Sequence, residues 1–385
     1  MDKILHLNAY YCGYPLYKEI YTRLDSTYRQ DIYVPLKHGW AHKNPIDLEN
    51  GNIHYVNNIS PDDKVLYFKK IHKIHSDIKK RGLGKGVSLI HAHNLFTDGA
   101  IAYHLSKETG TPYIVALRMT DIYKQYKFML HRRFLANNVL RGASKVIFLA
   151  DIHRENLLAM IHGSELREEI RKKSITIPNG IGSRFISNIS EDVRTPADGD
   201  ILELLYIGRI VRYKHVMEVV EATKMLNRAG LKCRLTIIGG MFPNEKSYYR
   251  QFTESIIGES TVRYLGEITD SEKILQAYHN SHIFVLPSEN ELFGLTFIEA
   301  ISQNVPVIFG KSYGTGMVSY LSDKPFARGV NPKDPKDIAA GVQYLVTMIK
   351  SCKLGVFSGY AKNFNWDVII DEYFRIYSEL LSKAD

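Results

Sequence analysis

The stretch HIFVLPSENELFGLTFIEAISQNVPVIF, from residue 282 to residue 309, contains two short apolar runs separated by a helical pattern. The runs HIFVL (282–286) and VPVIF (305–309) are typical of buried strands, and Gly294 breaks the chain between the first run and the helix. This order predicts two parallel strands joined by a helix. Open parallel sheets bind ligands at the carboxyl ends of such strands.

The same alternation of apolar runs and helical patterns continues over the whole chain. The predicted strands of the first half cover 3–8, 52–56, 88–93, 113–117, 145–150 and 174–178, and those of the second half cover 202–208, 234–239, 262–266, 282–286 and 305–309. Helical patterns such as 215–230, which Gly230 ends, lie between them. The repeated order predicts an α/β protein with two parallel sheets, each covered by helices.

Length and composition predict the domain boundaries. A chain of 385 residues exceeds what a single core usually supports. The segment SNISEDVRTPADGD (187–200) is polar and contains Pro and Gly, as linkers do. We predict a first domain over 1–185, a linker over 186–200, a second domain over 201–364, and a final helix over 365–385 that packs back towards the first domain.

The composition is typical of a soluble globular protein, but the charge is uneven. Residues 1–190 carry 28 Lys and Arg against 17 Asp and Glu, a net of +11, and the remaining residues carry 22 against 24, a net of −2. A basic half favours phosphates, acidic substrates or an anionic membrane surface as partners. No zinc-finger spacing or RNA-binding aromatic signature is present, so nucleic acid is not expected. Three isolated cysteines, with neither a signal peptide nor a run of about 18 apolar residues, favour a cytoplasmic location, possibly at the inner face of the membrane.

The turn after the first quoted strand is suited to a nucleotide diphosphate. Gly294 lets the backbone approach a ligand closely, and the free N–H groups at the start of the following helix favour phosphate. Glu299 lies one turn further, on the same face as Leu295 and Thr296, where it would accept hydrogen bonds from ribose hydroxyls. Glu291, before the turn, would face the group at the far end of the diphosphate. Taken alone, the two glutamates also fit an exposed helix with ordinary surface charge.

Two further strand ends carry matching signals. The segment YIGRIVRYKH places Gly208 and Arg209 at a strand end, with Lys214 five residues later. Arginine and lysine there are suited to neutralising a departing diphosphate, which carries the costly charge in a sugar transfer. The segment IIGGMFPNE places Gly239 after another strand, where the backbone can approach a ligand. A structural ion pair for Arg209 and a solvated tip for Lys214 are the alternatives.

In order and spacing these motifs resemble the C-terminal half of retaining GT-B glycosyltransferases, in particular glycosyltransferase family 4 (group 1). The matching stretches are GRIVRYK, IIGG, PSENELFGLTFIEA and NVPVI, together with IPNGI (177–181) and the closing segment NFNWDVIIDEYFRIYSELL. The Glu-x7-Glu signature of the family falls on Glu291 and Glu299. The resemblance implies a GT-B fold, in which two Rossmann-like domains with parallel sheets face each other across a cleft.

The resemblance also implies roles for the matching residues. Arg209 and Lys214 would hold and stabilise the donor diphosphate, and Glu291 would contact the donor sugar near the reacting carbon. Glu299 would bind the ribose. The phosphate site would be completed by the backbone N–H groups of Phe293, Gly294, Leu295 and Thr296. Transfer in this family retains the anomeric configuration, and it normally requires neither a cofactor nor a metal.

The chain departs from the family pattern in several places. The first loop, AYYCGYPLY, contains only Gly13 where the family is glycine-rich, and we still predict donor contact there. In IVALRMTDIY the family normally has a histidine followed by glycine, where this chain has Arg118 and a methionine. We place Arg118, Thr120 and Asp121 near the acceptor or the sugar, with an acidic group or a phosphate as the partner of Arg118. Asn304 replaces a common glycine and can adopt the same left-handed conformation.

The basic first half is expected to hold the acceptor. The segment DIYKQYKFMLHRRFLAN places Lys124, Lys127 and His131 on one helical face, which would suit an anionic membrane surface or a lipid diphosphate. A packed helix with a solvated basic face is the alternative. His93, in HAHN, is interpreted as a hydrogen-bonding group that faces the cleft, and His91 as structural. No carboxylate is evident beside these histidines, so no metal site is predicted.

We therefore predict a glycosyltransferase of the hexosyltransferase type. It would move a sugar from a UDP-, GDP- or ADP-sugar to a hydroxyl group of a glycan or a lipid-linked acceptor, in cell-surface polysaccharide synthesis. A nucleotide-sugar epimerase of the same fold and a non-catalytic nucleotide-sugar-binding partner are the alternatives. A dinucleotide-dependent oxidoreductase is disfavoured because no G-x-G-x-x-G follows the first strand.

Overall fold

Two parallel sheets divide the chain into two units. The computed structural model describes residues 1–37, 39, 42–197, 199–289, 291, 293–312 and 314–382, so the last three residues of the predicted final helix lie outside the described residues. The first unit comprises Met1–Asn179 and Trp366–Asp385, and the second comprises Gly180–Asn365. Each unit has its own sheet and its own buried core. The predicted α/β class with two parallel sheets is confirmed.

The first unit is built on a seven-stranded sheet whose pairs are all parallel. Its strands are β1 (Lys3–Leu7), β2 (Arg29–Lys37), β3 (Gly51–Ile59), β4 (Leu89–Ala92), β5 (Tyr113–Ala116), β6 (Lys145–Phe148) and β7 (Ser174–Thr176). They follow the order β3-β2-β1-β4-β5-β6-β7, so the strand order reverses between β1 and β4. Its helices are α1 (Tyr17–Leu24), α2 (Tyr67–Lys80), α3 (Asp98–Thr109), α4 (Arg133–Gly142), α5 (Asp151–Met160) and α6 (Ser164–Lys173).

The final helix, Trp366–Leu381, belongs to the first unit and covers part of one face of its sheet. Its buried side chains form one apolar cluster with strand residues such as Ile4, Ile32 and Ile114. These helix residues are Trp366, Ile369, Ile370, Tyr373, Ile376, Tyr377 and Leu380. The apolar residues whose spacing predicts the helix are therefore the ones that the helix buries.

The second unit is built on a six-stranded sheet, also with parallel pairs. Its strands are β8 (Leu202–Ile207), β9 (Cys233–Ile238), β10 (Val262–Tyr264), β11 (Ile283–Leu286), β12 (Val307–Gly310) and β13 (Ala327–Val330), in the order β10-β9-β8-β11-β12-β13. Its helices are α7 (Ser183–Ser187), α8 (Val216–Arg228), α9 (Lys246–Ser255), α10 (Ser271–His279), α11 (Leu295–Ser302), α12 (Val318–Leu321) and α13 (Pro335–Lys350). Among the described residues, no helix is long and apolar enough to cross a bilayer.

The segment predicted as a linker is part of the second unit. The division falls at Asn179 and Gly180, ahead of the predicted boundary at residue 185. Beyond α7, the Ser190 N–H donates to the Ser302 carbonyl at 2.9 Å, and Gln303 Nε2 donates to the Asn188 carbonyl at 2.8 Å. Polar composition predicted a free linker, but here the polar groups bind the chain to the end of α11.

A continuous helix over residues 121–137 was predicted, and this prediction is wrong. The segment forms a wide turn over Asp121–Tyr126, a short 3-10 turn over Leu130–Arg132, and only then α4. The Arg133 guanidinium donates from Nε to the Tyr126 carbonyl at 2.7 Å, which occupies an acceptor that a continuous helix would give to a backbone N–H. Consequently Lys124, Lys127 and His131 do not share one helical face.

Candidate active site

The two loops that carry most of the predicted donor residues lie where the second sheet reverses its strand order. Strand β8 pairs with β9 on one side and with β11 on the other. In parallel sheets, ligands bind at the carboxyl ends of the strands that flank such a switch point. The loop after β8 spans 208–215, and the loop after β11 spans 287–294. The fold therefore brings both predicted segments to one edge of the sheet.

An ion pair joins these two loops. Lys214 Nζ lies 3.1 Å from Glu291 Oε2, and the two side chains are only 12% and 16% exposed. Backbone bonds hold the same geometry, because the Glu289 N–H donates to the Tyr213 carbonyl at 2.9 Å and the Gly316 N–H donates to the Glu291 carbonyl at 3.1 Å. The ammonium predicted to bind a diphosphate thus lies against the carboxylate predicted to contact a sugar. A bound diphosphate would compete with Glu291 for Lys214.

Arg209 presents an exposed cation at the end of β8. Its guanidinium lies over the Phe242 ring, with 5.2 Å from Cζ to the ring centre. We find no ion pair for Arg209 among the described residues, in contrast to the structural ion pair considered above. Stacking on an aromatic ring orients the cation without neutralising it. The contact with Phe242, which follows β9, was not predicted.

The glycine at position 239 is required by the chain itself. A Cβ atom there would lie 1.8 Å from the Gly208 carbonyl oxygen. The Gly208 N–H donates to the Ile238 carbonyl at 2.9 Å, and the Gly239 N–H donates to the Gly266 carbonyl at 2.8 Å, so the loops after β8 and β9 run side by side. The close approach that we expected for a ligand is made by the loop that carries Arg209. Donor contact at Gly239 stays a prediction.

Helix α11 begins with unused amide groups. Gly294 precedes it in the left-handed conformation, with φ 75°, and a Cβ atom there would lie 2.6 Å from the Phe297 ring. The first intrahelical bond runs from the Phe297 N–H to the Gly294 carbonyl at 3.0 Å. In the described part of the chain, the N–H groups of Gly294, Leu295 and Thr296 form no backbone hydrogen bond. Such groups at a helix start are suited to a phosphate.

The buried ring of Phe293 holds this turn in place. Its side chain is 2% exposed, and its ring packs against Tyr320 and Phe364, with ring centres 5.3 Å and 5.7 Å away. The buried ring fixes the path of the chain just before Gly294. A donor would therefore meet the backbone of Phe293, as the resemblance implies, rather than its ring.

Glu299 lies one turn into α11. The Tyr278 hydroxyl lies 3.1 Å from Glu299 Oε2 and 3.1 Å from the Thr296 carbonyl. Burial raises the pKa of Glu299 to about 7, although the hydrogen bond from Tyr278 acts in the opposite direction. The carboxyl group is thus poised to change its charge near neutral pH.

A charge cluster around a buried histidine, directly after Lys214, was missed by the sequence analysis. His215 is 4% exposed; its Nδ1 lies 3.0 Å from Glu218 Oε1, and its Nε2 lies 3.2 Å from Glu289 Oε2. Lys333, after β13, lies 2.7 Å from the other oxygen of Glu289. Burial lowers the pKa of His215, but the hydrogen bonds to Glu218 and Glu289 outweigh burial and raise it. The signal in the sequence was an acid three residues after a histidine at a helix start.

Two of the residues predicted in the first unit lie in turns at strand ends. Gly13 is exposed at the end of a 3-10 turn, Tyr11–Gly13, that follows β1. Thr120 follows β5, and its hydroxyl lies 2.9 Å from the hydroxyl of Tyr10. The turns after β1 and β5 are therefore in contact, and Tyr10 is a member of this group that the sequence analysis did not single out.

Arg118 and Asp121 are buried and make structural contacts. Arg118 donates from Nε to the His93 carbonyl at 3.1 Å, and its guanidinium lies 5.2 Å from the Tyr17 ring centre. The Asp121 carboxylate accepts the backbone N–H of Arg118 at 2.8 Å. Burial raises the pKa of Asp121 to about 6, although the hydrogen bond from the Arg118 N–H acts in the opposite direction. The structure therefore gives both residues a part in shaping the turn after β5.

The interpretation of His93 as a group that faces a cleft is wrong. Its side chain is fully buried, with Nε2 3.2 Å from His6 Nδ1 and its ring stacked on His91 at 4.0 Å between centres. His91 Nδ1 lies 2.6 Å from the Tyr377 hydroxyl of the final helix, as suits the structural role that we expected for it. A histidine at a strand end was taken to face the cleft, but the final helix covers this part of the sheet.

These three histidines are the group of potential metal ligands that the described residues contain. One nitrogen from each of His6, His91 and His93 lies within 4.8 Å of the others. Burial lowers the pKa of His6 to about 3 and lowers those of His91 and His93 well below the ordinary value. The three rings are therefore neutral, which is the form that binds metals.

Comparisons with known proteins point to one family. Residues 188–353 match the family described as glycosyl transferases group 1. The chain is 21% identical over 338 residues to a glycosyltransferase of Methanocaldococcus jannaschii, which covers 87% of this chain and 86% of that protein. It is 27% identical over 271 residues to TuaC of Bacillus subtilis, named as a teichuronic acid biosynthesis glycosyltransferase, which covers 66% of this chain and 60% of that protein.

The fold is also similar to that of a solved protein. HepE of Anabaena, solved in complex with UDP, superposes with a TM-score of 0.70 at 16% identity, over 98% of this chain and 100% of that chain. Another structure of HepE holds UDP-glucose. The family match includes both loops at the switch point of the second sheet, and the superposition extends over both units.

Proposed function

We propose that this chain, which belongs to the group 1 glycosyltransferases and has the GT-B fold, transfers a sugar from a nucleotide diphosphate sugar to a hydroxyl group of a glycan or a lipid-linked acceptor. The ion pair between Lys214 and Glu291 carries this proposal. It joins the strand-end cation to the first glutamate of the family signature, beside a helix start with unused amides.

The second unit offers a complementary group for each part of such a donor. Arg209, Lys214 and the start of α11 supply positive charge and N–H donors for the diphosphate. Glu299, one turn further, would accept hydrogen bonds from the ribose hydroxyls. Glu291 would exchange Lys214 for a hydroxyl of the donor sugar once the diphosphate occupies the ammonium.

The transfer would proceed with retention at the anomeric carbon. The bond from that carbon to the β-phosphate oxygen breaks, and the acceptor oxygen forms its bond on the same face of the sugar. The proton of the acceptor hydroxyl passes to the phosphate oxygen that leaves. Arg209 and Lys214 would act mainly here, because negative charge grows on the diphosphate as the bond breaks.

The acceptor class rests on the relatives. TuaC is named for the biosynthesis of teichuronic acid, and HepE is solved with UDP and with UDP-glucose. We infer a UDP-hexose as the donor to try first and a hydroxyl of a growing surface polysaccharide, or of its lipid-linked precursor, as the acceptor class.

The proposal is tested first with a panel of donors and then with variants of the donor site. UDP-, GDP- and ADP-hexoses are screened by thermal shift, and the best donor is incubated with lipid-linked glycan acceptors. We expect Arg209→Ala to reduce kcat by about 10²–10³-fold, since removing one donor to a developing charge has this effect in other enzymes. Arg250→Ala, an exposed arginine on α9, is the matched control and should retain wild-type kinetics.

Two outcomes would overturn the proposal. One is conversion of the donor alone into an isomerised sugar, which would identify an epimerase. The other is equal kcat for wild type and Arg209→Ala together with equal donor KM for wild type and Glu299→Ala, which would place the reaction elsewhere.

A further inference from the structure

The first unit exposes an unusual set of large apolar side chains. Two segments, 65–68 and 128–134, contain six of them, each between 46% and 83% exposed. We call this set the Phe128 surface, and its members are Val65, Leu66, Phe68, Phe128, Leu130 and Phe134. The three phenylalanines that are exposed among the described residues are all members. Single exposed apolar residues are ordinary, but a cluster of this kind marks a contact surface.

The two segments adjoin in space. The Arg132 guanidinium packs on the Tyr67 ring, with 4.2 Å from Cζ to the ring centre, and Arg132 is itself buried. Tyr67 lies beside Phe68, with ring centres 5.1 Å apart. Leu130 and Phe134 flank Arg132 in the sequence. The exposed residues of both segments are therefore neighbours around one buried contact, Arg132 on Tyr67.

Positive charge surrounds this apolar set. From residue 122 to residue 150 the chain carries six Lys and Arg and no Asp or Glu. Lys124 and Lys127 are exposed, and the Lys127 ammonium lies 5.4 Å from the centre of the Phe128 ring. Lys69 is exposed next to Phe68. Aromatic and aliphatic side chains among cations are the composition that binds the interface of an anionic bilayer.

The backbone holds the apolar residues in place without burying them. The break before α4 is fixed by the Arg133 guanidinium, which donates to the carbonyl of Tyr126 at 2.7 Å and to that of Lys127 at 3.3 Å. Phe128 consequently lies between these two turns, and Leu130 is the first residue of the second one. A continuous helix would instead place these two residues, which are two positions apart, on opposite faces.

From this juxtaposition we propose that the Phe128 surface docks on an anionic lipid bilayer, with its apolar side chains inserted at the level of the headgroups and Lys69, Lys124 and Lys127 bound to lipid phosphates. The charge favours a bilayer over a protein partner, because exposed lysines lie beside the apolar residues of both segments and few exposed acids do. The proposal goes beyond the transfer reaction and does not depend on it.

Vesicle sedimentation tests the proposal with the full chain. Phosphatidylcholine vesicles are compared with vesicles that contain about one third phosphatidylglycerol. We expect the wild type to bind the anionic vesicles, to bind less as salt increases, and to bind neutral vesicles weakly. Phe128→Ser with Phe134→Ser should reduce the partition coefficient at least about tenfold. Lys124→Gln with Lys127→Gln should reduce it on anionic vesicles only.

The matched control replaces exposed apolar residues of the second unit. Ile257→Ser with Val356→Ser removes side chains that are 80% and 55% exposed and should leave vesicle binding unchanged. Far-UV circular dichroism and the melting temperature verify that each variant is folded. Equal binding by the wild type and the Phe128/Phe134 variant would overturn the proposal. So would a wild-type dimer that ignores vesicles and becomes monomeric in that variant, because the surface would then serve a second copy of the chain.

Discussion

Glu299 and Glu291 belong to one family signature but have different electrostatic surroundings. Glu291 is paired with an ammonium, while the close partner that the described residues offer Glu299 is the Tyr278 hydroxyl. The raised pKa of Glu299, about 7, means that the carboxyl group is partly protonated at neutral pH. Only the ionised form offers two acceptors to the ribose hydroxyls.

This difference predicts a pH-dependent donor affinity. The donor KM of the wild type should fall as the pH rises through about 7, because Glu299 becomes a carboxylate. Glu299→Gln should raise the donor KM about tenfold or more at pH 8, since a hydrogen bond to a charged group is lost, and should flatten the profile. Initial rates across a pH series measure both. Parallel profiles for the two proteins would contradict the ribose role.

His215 predicts a second pH effect, on stability. Its pKa in the folded chain is raised above the unfolded value, so its contribution is complete below pH 6.5 and is lost as the pH rises through the folded pKa. The pKa of Glu289 is lowered: burial would raise it, but Lys333 and His215 outweigh burial. Glu289 therefore stays ionised over this range.

We expect His215→Asn to lower the melting temperature by a few degrees at pH 6 and by less at pH 9. Asparagine tolerates the left-handed conformation that position 215 adopts, with φ 54°, so the backbone is kept while the charge is removed. Differential scanning fluorimetry at the two pH values measures the change. His162→Asn, at an exposed position of the first unit, is the control. A deficit that grows with pH would contradict the assignment.

At the scale of elements, the close contact between the loops after β8 and β9 is a structural requirement of the site. Gly239→Ala would place a Cβ atom 1.8 Å from the Gly208 carbonyl, so the chain must shift. We expect a loss of about 1–3 kcal/mol in the free energy of unfolding, measured by urea denaturation. Gly359→Ala, where a Cβ atom meets nothing within 4 Å, should change it by no more than about 0.5 kcal/mol.

Period and composition predict most elements of the fold, and the exceptions have local causes. Strand β2 was not predicted because Pro35 and the charged residues Arg29 and Asp31 interrupt its apolar pattern. Pro35 lies beyond Tyr33, the last residue of β2 that pairs with β1, so its missing N–H is tolerated. Strand β13 is short and contains Arg328 and a glycine. Neither strand has an uninterrupted apolar run.

Side-chain partners were less predictable than elements. The left-handed conformation expected for Asn304 is confirmed, with φ 56°. The cluster around His215 could not be predicted, because Glu289 and Lys333 reach it from the ends of different strands. The ring on which His93 stacks, that of His91, contacts Tyr377, which lies far away in the sequence, in the final helix. Contacts of this kind become visible only when the topology is known.

At the scale of the whole molecule, the chain crosses between its units twice, at Asn179–Gly180 and at Asn365–Trp366. The first crossing lies inside a short polar turn of the segment IPNGI, where composition gives little contrast. The longer polar segment after it (187–200) was predicted to be the linker instead. Composition failed because polar side chains serve packed loops as well as free ones, and Arg194 of this segment donates to the carbonyls of His279 and Gln303.

The need for a metal depends on which groups neutralise the departing diphosphate. Arg209, Lys214 and the start of α11 together supply the positive charge that a departing diphosphate requires, so we expect transfer to proceed without a divalent cation. Dialysis against EDTA should leave kcat within about twofold of the untreated enzyme, measured by release of the nucleoside diphosphate. Lys214→Ala should reduce kcat about 10²–10³-fold, and added Mg²⁺ should not restore it. Lys214→Arg, which keeps the charge, is the matched control and should retain more activity than Lys214→Ala. Loss of activity in EDTA that Mg²⁺ or Mn²⁺ restores would show that a metal carries the charge instead.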